Sequence, residues 1–578
     1  MSSIEATTAT TTPAKPAKET KAQRSERLKL EKNPWEAWQE VREFARQGIE
    51  SVLPEWAGFY FKWWGIYTQG DGVGAVGGVG GEGKATEYFM MRIGIPNGIV
   101  KSHQLRGIAG IVAQHARGIA DITTRQNIQM HWLTIESLPV VVDTLEKLGL
   151  SPKGACGDVV RNVTGSPLAG VEKGEILDAS PLAIRVAQHL TANPAYFNLP
   201  RKFKICITGS TSWDCYPEIN DIGLTPAVRE VNGKQDVGYS LRVGGGLSRE
   251  PHIAVRLDCF VRQEQAEAVV YAVADIFREQ MALRESRTQA RMKYLFLKQG
   301  WTAEKFLAAL EAKLGYKLDP AVPETVPDDI YRDHAGIHQQ KQEGLSYVGA
   351  SVLRGRLTAD QLHAVADLAE QYGSGEIRYT VMQNFVIINV PNAKTQELAA
   401  ELKKIGIEVQ GTNFFRGTVA CTGTEFCKLA ITETKGFAKW LVEEMEGRMP
   451  GFDQQLRINV TGCPNSCGQS WIADIGLEGK KIKHDGVMQD AYYFAVGGAL
   501  GEHAGIARQI GYRALVEDVP QAIERLLRGY LQQRSEGENL RSYFRRKTDE
   551  ELRTLIAGEQ VAAIEHDKPI GRPPVGVN

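Results

Sequence analysis

Two periodicities divide the chain. Apolar positions three and four apart predict helices over 105–118, 138–148, 263–283, 358–371, 395–404 and 428–446, because that spacing gathers apolar side chains on one helical face. Alternation or β-rich composition predicts strands over 88–95, 128–134, 203–207, 377–389 and 456–460. Helices and strands mixed in this way make an α+β protein. Gly, Ser, Pro and charge shifts interrupt the runs near 149, 336 and 409, which places unit boundaries there. The opening Ala/Thr/Lys/Pro segment up to about Lys32 carries no apolar periodicity and is predicted to be a solvated, disordered tail. Its Ser/Thr content suits a plastid transit peptide, but Glu5, Glu19 and Glu26 argue against one.

The pattern occurs twice. Residues 204–224 align without a gap onto 457–477, sharing Ile205/Ile458, Thr208/Thr461, Gly209/Gly462, Ile219/Ile472, Asp221/Asp474, Ile222/Ile475, Gly223/Gly476 and Leu224/Leu477. The register continues through Tyr239/Tyr492, Val243/Val496, Gly244/Gly497, Gly245/Gly498 and Leu247/Leu500. Upstream, Arg-Gln-Asn-Ile-Gln at 125–129 resembles Met-Gln-Asn-Phe-Val at 382–386. An internally duplicated molecule of two related halves is expected.

The copies differ where chemistry is concerned. Cys463 and Cys467 of the second copy correspond to Ser210 and Asp214 of the first, so only one half can ligate metal through these positions. With Cys421 and Cys427 they form a C-x5-C and C-x3-C set. Four thiolates from two loops suit a [4Fe–4S] cluster, each iron needing one soft anionic ligand beyond the shared sulfides. Structural zinc prefers tighter C-x2-4-C turns, and zinc or unliganded core cysteines stand as the alternatives on spacing alone. The unliganded copy is free to form the opposite wall of a cofactor cavity. Cys156, Cys206, Cys215 and Cys259 are scattered among apolar residues and read as small buried hydrophobes.

At 578 residues the chain exceeds a single core. Eight cysteines are too few for a disulfide scaffold, and the clustered four want a reducing compartment, which points to the cytoplasm. A formal net charge of −1 gives no overall bias toward nucleic acid or anionic membrane, so any basic site is local. No apolar stretch approaches the roughly 20 residues of a membrane helix, and the first residues lack a secretion signal's hydrophobic core. Gly72-Val73-Gly74-Ala75-Val76-Gly77 matches the dinucleotide fingerprint. Its Gly-rich continuation into a strand-like stretch, where a helix is required, makes it a loop.

The cysteine pattern, the duplication and Arg-Lys-Phe-Lys at 201–204 together resemble the siroheme and [4Fe–4S] nitrite and sulfite reductase family, over about residues 35–555. The resemblance implies a disordered tail at 1–34, the first half of a ferredoxin-like domain at 35–148 and a first siroheme-binding repeat at 149–335. The second ferredoxin-like half follows at 336–408, the siroheme and [4Fe–4S] repeat at 409–548, and a C-terminal helix and tail at 549–578. It further implies that Cys421, Cys427, Cys463 and Cys467 hold the cluster, with Cys467 also the axial ligand of siroheme. Arg125, Arg161, Lys202 and Lys204 match the family's basic residues that bind the anion and assist its protonation, with Arg125 and Arg161 also contacting siroheme.

The expected reaction is six-electron reduction of nitrite to ammonia. The segments Cys-Thr-Gly-Thr-Glu-Phe-Cys at 421–427 and Cys-Pro-Asn-Ser-Cys-Gly-Gln at 463–469 look like the nitrite branch. Lys204, where plant-type nitrite enzymes often carry Asn, suits the more highly charged sulfite, so ferredoxin-dependent sulfite reduction is the alternative. A non-catalytic zinc-stapled binding protein is the distant one. No flavin or nicotinamide module accompanies the two halves, and the resemblance suggests ferredoxin as donor. Its docking charges are sought at Arg541, Arg545, Arg546 and Lys547, which an ordinary helix surface would explain equally. A monomer with no nucleic-acid or membrane partner is expected.

Overall fold

The computed structural model describes residues 19–69, 87–327 and 333–564. The Gly72–Gly77 motif lies outside them. The architecture is α+β and duplicated, and the two halves are interlocked. One five-stranded sheet runs in the order Ile66–Gln69, Tyr88–Ile93, Ile128–Leu133, Ile119–Ile122 and Arg356–Thr358. Its counterpart runs Gly336–Gln339, Leu345–Ala350, Phe385–Pro391, Glu376–Tyr379 and Ile99–Lys101. The last strand of each sheet comes from the other half of the chain: Leu357 pairs with Ala120, and Val100 with Ile377. A three-residue strand has little stability alone, so the exchange covers two open edges and ties the halves together. Helices Ser102–His115 and Ala359–Tyr372 follow the exchanged strands and pack on each other. Ile108, Ile128, Val365 and Ile387 share one core as a result.

The two downstream repeats each start with a parallel pair and continue as an antiparallel meander. Ile205–Ile207 lies parallel to Ile222–Val231, followed by Lys234–Val243 and Val255–Arg262. In the other repeat Thr418–Ala420 and Ile458–Thr461 lie parallel to Ile475–His484, followed by Val487–Val496 and Arg508–Leu515. The long hairpins turn at Asn232-Gly233 and Asp485-Gly486, both central residues at positive φ, the geometry whose twist matches antiparallel strands. Each repeat has its own core, closed by Ala266–Glu279 in one and Val519–Gln533 in the other. Between them lies a third, built from Ile219 and Leu247 of one copy and Ile472 and Leu500 of the other.

Three expectations change. Residues of the predicted tail form the helix Lys21–Glu31, capped by Thr20 and Gln23 in a reciprocal box. It docks through buried Lys29, whose Nζ reaches Leu199 O at 2.8 Å and Asp158 at 3.1 Å. A short, highly charged helix shows little apolar periodicity, so a tertiary ion pair replaces the hydrophobic stripe. The stretch 377–389 is a hairpin, Glu376–Tyr379 and Phe385–Pro391, because Thr380 Oγ1 accepts the Met382 and Asn384 N–H groups and turns the chain. The helix expected from 428 begins at Lys435, since the residues after Cys427 remain in a loop bonded to the neighbouring strand end.

Candidate cofactor and anion site

Both cysteine loops leave the same ends of neighbouring parallel strands, Thr418–Ala420 and Ile458–Thr461. Cys421 N–H bonds to Val460 O at 3.0 Å and Ile431 N–H to Gly462 O at 2.7 Å, which stitches the loops together. Gly468 is required at that seam, where a Cβ would lie 2.4 Å from Val460 O. Gly462 N–H points at Cys421 Sγ at 3.2 Å, a contact that favours thiolate. Burial, then the Cys467 sulfur, pushes Cys421, Cys427 and Cys463 up, Cys427 to about 12. Protons are therefore held where a metal group would displace them.

The four sulfurs act on one another, yet among the described residues no three His, Cys, Asp or Glu side chains gather tightly enough to hold one metal ion. A tetrahedral zinc with bonds of about 2.3 Å needs a tighter set. A cubane holding each iron at a separate corner fits a looser one. Four thiols on two loops stitched together fit the cluster's need for one soft ligand per iron. In the sister repeat the matching positions are filled with the protein's own polar groups. Ser210 bonds Ser212 at 2.7 Å, and buried Asp214 takes the Ser166 hydroxyl at 2.8 Å beside His334 at 3.0 Å.

Facing Cys467 is a concentration of positive charge. Arg125, in the turn after Ile119–Ile122, donates to Asn220 Oδ1 at 2.7 Å and Asn162 O at 2.6 Å. Arg161 donates to Gly157 O at 2.8 Å and Ala155 O at 3.2 Å. Lys202 and Lys204 flank fully buried Phe203 on the extended segment entering Ile205–Ile207, and both remain half-buried. The Lys204 N–H is fixed to Asp221 Oδ2 at 2.8 Å. Burial, then Arg291, depresses Lys202 to about 7, with Cys467 pulling the other way. Burial, Arg125 and Lys202 hold Lys204 well below the usual lysine range, and burial lowers Arg125 to about 10. The structure therefore brings all four predicted basic residues together. Cations anchored on carbonyls and crowded against like charges are poised for a polyanion, which relieves that repulsion.

The two halves of the site touch. Thr124 Oγ1 donates to Cys467 O at 3.3 Å, and Gln129 Nε2 to Thr422 Oγ1 at 3.2 Å. Gln129 also accepts from Arg92 at 2.8 Å. Arg92 and Arg291 are members of the cationic group that sequence reasoning missed. Arg92 carried a signal, a lone charge between buried Met91 and Ile93. Arg291, bonded to Asp221 at 2.8 Å, carried none. Cys156 is also more than a core filler, since Arg92 Nη1 lies 3.1 Å from its sulfur and Tyr67 bonds to it. The proposed docking charges are mostly committed elsewhere. Arg541 is buried beside Asp474, Arg546 pairs with Glu538, and Lys547 pairs with Glu551.

Among the described residues no helix is long and apolar enough to cross a membrane. Residues 156–318 and 411–563 match the family described as nitrite and sulphite reductase 4Fe-4S domain. Residues 82–148 and 338–405 match the nitrite/sulfite reductase ferredoxin-like half domain. The chain is 37% identical over 534 residues to the assimilatory ferredoxin-dependent nitrite reductase of Haloferax mediterranei, covering 87% of this chain and 88% of the relative. It is 37% identical over 525 residues to sulfite reductase [ferredoxin] 1 of Mycolicibacterium paratuberculosis, covering 89% and 92%. The solved structure of the Mycobacterium tuberculosis NirA protein superposes with a TM-score of 0.86 at 34% identity, covering 92% of this chain and 97% of that one. With the duplicated fold and the paired cysteine loops, these matches make the chain a member of the nitrite and sulphite reductase family, an oxidoreductase whose cofactors are siroheme and a [4Fe–4S] cluster.

Proposed function

We propose that this protein reduces nitrite to ammonia in the cytoplasm with electrons from ferredoxin. Nitrite takes up six electrons and eight protons and leaves as ammonium and two waters. Cys421, Cys427, Cys463 and Cys467 hold the cluster. Cys467 is the exposed one of the four and faces the basic group, so its sulfur is the one free to serve siroheme as well. Siroheme held there would supply an iron able to bind the anion, and the cluster held by the four cysteines would supply the one-electron redox centre beside it.

Arg125 and Arg161, fixed by three backbone carbonyls and one side-chain amide oxygen, offer rigid donors to carboxylates and to the anion. Arg92 completes the cationic wall from the adjoining strand. Lys202, near 7, carries a proton that it can release at neutral pH, and Arg125 nearby, lowered only to about 10, keeps the local field positive enough to hold an anion. The observation that carries the reading is the meeting of the exposed thiol of Cys467 with this group of half-buried cations.

Relatives named for nitrite and for sulfite match at the same 37%. The nitrite assignment rests on the 421–427 and 463–469 segments. Sulfite is the second reading, favoured by Lys204, whose depressed amine would regain its proton beside a dianion. The test is steady-state kinetics of the purified, coloured holoenzyme with reduced viologen and with reduced ferredoxin. A larger kcat/KM for nitrite than for sulfite is expected; the reverse order transfers the assignment to sulfite. A protein without Soret-type absorption after cofactor-replete expression would end both.

A further inference from the structure

Both upstream sheets contain the same bulge, and the two halves fill it differently. Between Phe89 and Met91 the partner strand spends one residue too many, passing from Leu133 to Met130, and the sister sheet repeats this between Ser346 and Val348. The extra residue adopts a left-handed conformation in each half, Trp132 at φ 58 and Asn389 at φ 59. Asn tolerates that conformation because its short side chain bonds locally, whereas a bulky aromatic there is strained. The first half therefore holds a tryptophan at a conformational cost that the second half avoids.

What the strain achieves is contact with the cysteine loop. Trp132 meets Phe426 edge-on at 4.6 Å, and His131 stacks on the face of Phe426 at 3.7 Å. His131 is itself held by Gln69 at 3.0 Å and Asp121 at 3.4 Å, so the Phe426 ring is clamped. Phe426 is bonded in sequence to Cys427. This loop reaches solvent at Leu429, which is 45% exposed. Over the Trp132 face lies the guanidinium of Arg117, 5.2 Å from the ring centre, on an exposed residue.

We propose that Trp132 and Phe426 form the path by which electrons pass from a docked acidic iron–sulfur carrier protein to the cluster at Cys427, with Arg117 as a contact for the carrier. The proposal rests on the function given above. One electron leaves the reduced carrier and one is gained by the cluster; no bond forms or breaks, and the rings serve only as the packed medium. A cation stacked on an aromatic ring suits an acidic partner, whose approach is steered by charge.

The experiment uses the full-length holoenzyme with a plant-type [2Fe–2S] ferredoxin as carrier. Trp132→Asn installs the residue that the sister sheet already accommodates. It is expected to lower the ratio of ferredoxin-driven to viologen-driven turnover by about tenfold, and Trp132→Phe to restore it to within about threefold. Arg117→Glu is expected to raise the calorimetric Kd for oxidised ferredoxin at low salt by about fivefold or more. A Trp132→Asn ratio within about twofold of the parent overturns the path, and an Arg117→Glu Kd within about twofold overturns the contact. If Trp132→Asn does not accumulate, Trp132→Ala takes its place, and its ratio decides the path while the Arg117→Glu Kd decides the contact: both within about twofold of the parent overturn the proposal. A parent enzyme that reduces neither anion with viologen fails the functional reading instead, and the Kd comparison still tests the contact.

Discussion

Asp221 is the point where the anion site is held to the fold, and its charge is the most informative single deletion. The carboxylate is fully buried, and its Oδ2 takes the Lys204 N–H and an Arg291 N–H, each at 2.8 Å. Asp221→Asn keeps the shape and removes the charge. Two unit charges 4 Å apart attract by about 4 kcal/mol at an effective dielectric of about 20. Removing one partner of a buried pair costs about 3–5 kcal/mol, because the other charge stays behind without compensation. Arg291 is only 7% exposed and would then face Lys202, Lys204 and Arg125, so a loss of about 4 kcal/mol is expected. The sister carboxylate, Asp474, binds Arg457 N–H at 2.8 Å but has Arg541 at 3.7 Å. Its Asn variant should lose less, about 3 kcal/mol. The assay is the guanidinium midpoint of each variant, with substrate KM measured in parallel. Asp221 also favours the charged form of Lys204, so KM should rise about tenfold for Asp221→Asn alone. An unchanged midpoint, or a larger loss for Asp474→Asn, would refute the assignment of the stronger pair to the anion site.

Three further outcomes are expected. Lys202 is depressed to about 7 by burial first and Arg291 second. An anion binds its protonated form better, so affinity should be greatest below about pH 7 and fall above it; the KM profile of Lys202→Met should lose that limb, and a profile identical to the parent's would reject the role. Cys467→Ser should cut ammonia formation by at least about tenfold and shift the visible spectrum, whereas retained six-electron turnover would contradict the shared sulfur. Lys29→Met should cost about 2 kcal/mol, since Asp158 keeps Arg201 and Arg287 as partners. It should also open the chain to proteolysis across Lys21–Glu31, and an unchanged digestion pattern would show that the ion pair does not dock the helix.

The regular elements were legible where a repeating face had to be buried. Helices at Ser137–Lys147, Ala359–Tyr372 and Thr395–Lys404 fall within one residue of the apolar spacing that predicted them. Errors arose where one side chain overruled a pattern: Thr380 turned an apparent long strand into a hairpin, and Lys29 docked a charged helix that periodicity alone would leave in solvent. The four cysteines were marked by their spacing and by the duplication, and the four basic residues by the family resemblance; the structure brings the basic residues together opposite Cys467. Arg291 could not, because it enters the site from a segment with no repeat counterpart signal, and its place is decided by Asp221.

By itself the sequence determined that the chain is a duplicated α+β protein with one thiol-bearing copy, because apolar spacing and residue identity are local properties. Tertiary structure alone decided that the halves exchange edge strands, that Arg92 and Arg291 join the cationic wall, and that Trp132 leans on the cysteine loop. Those outcomes depend on groups far apart in the chain meeting in a low-dielectric interior. There the energy of a charge or a strained backbone is set by its neighbours rather than by its own chemistry.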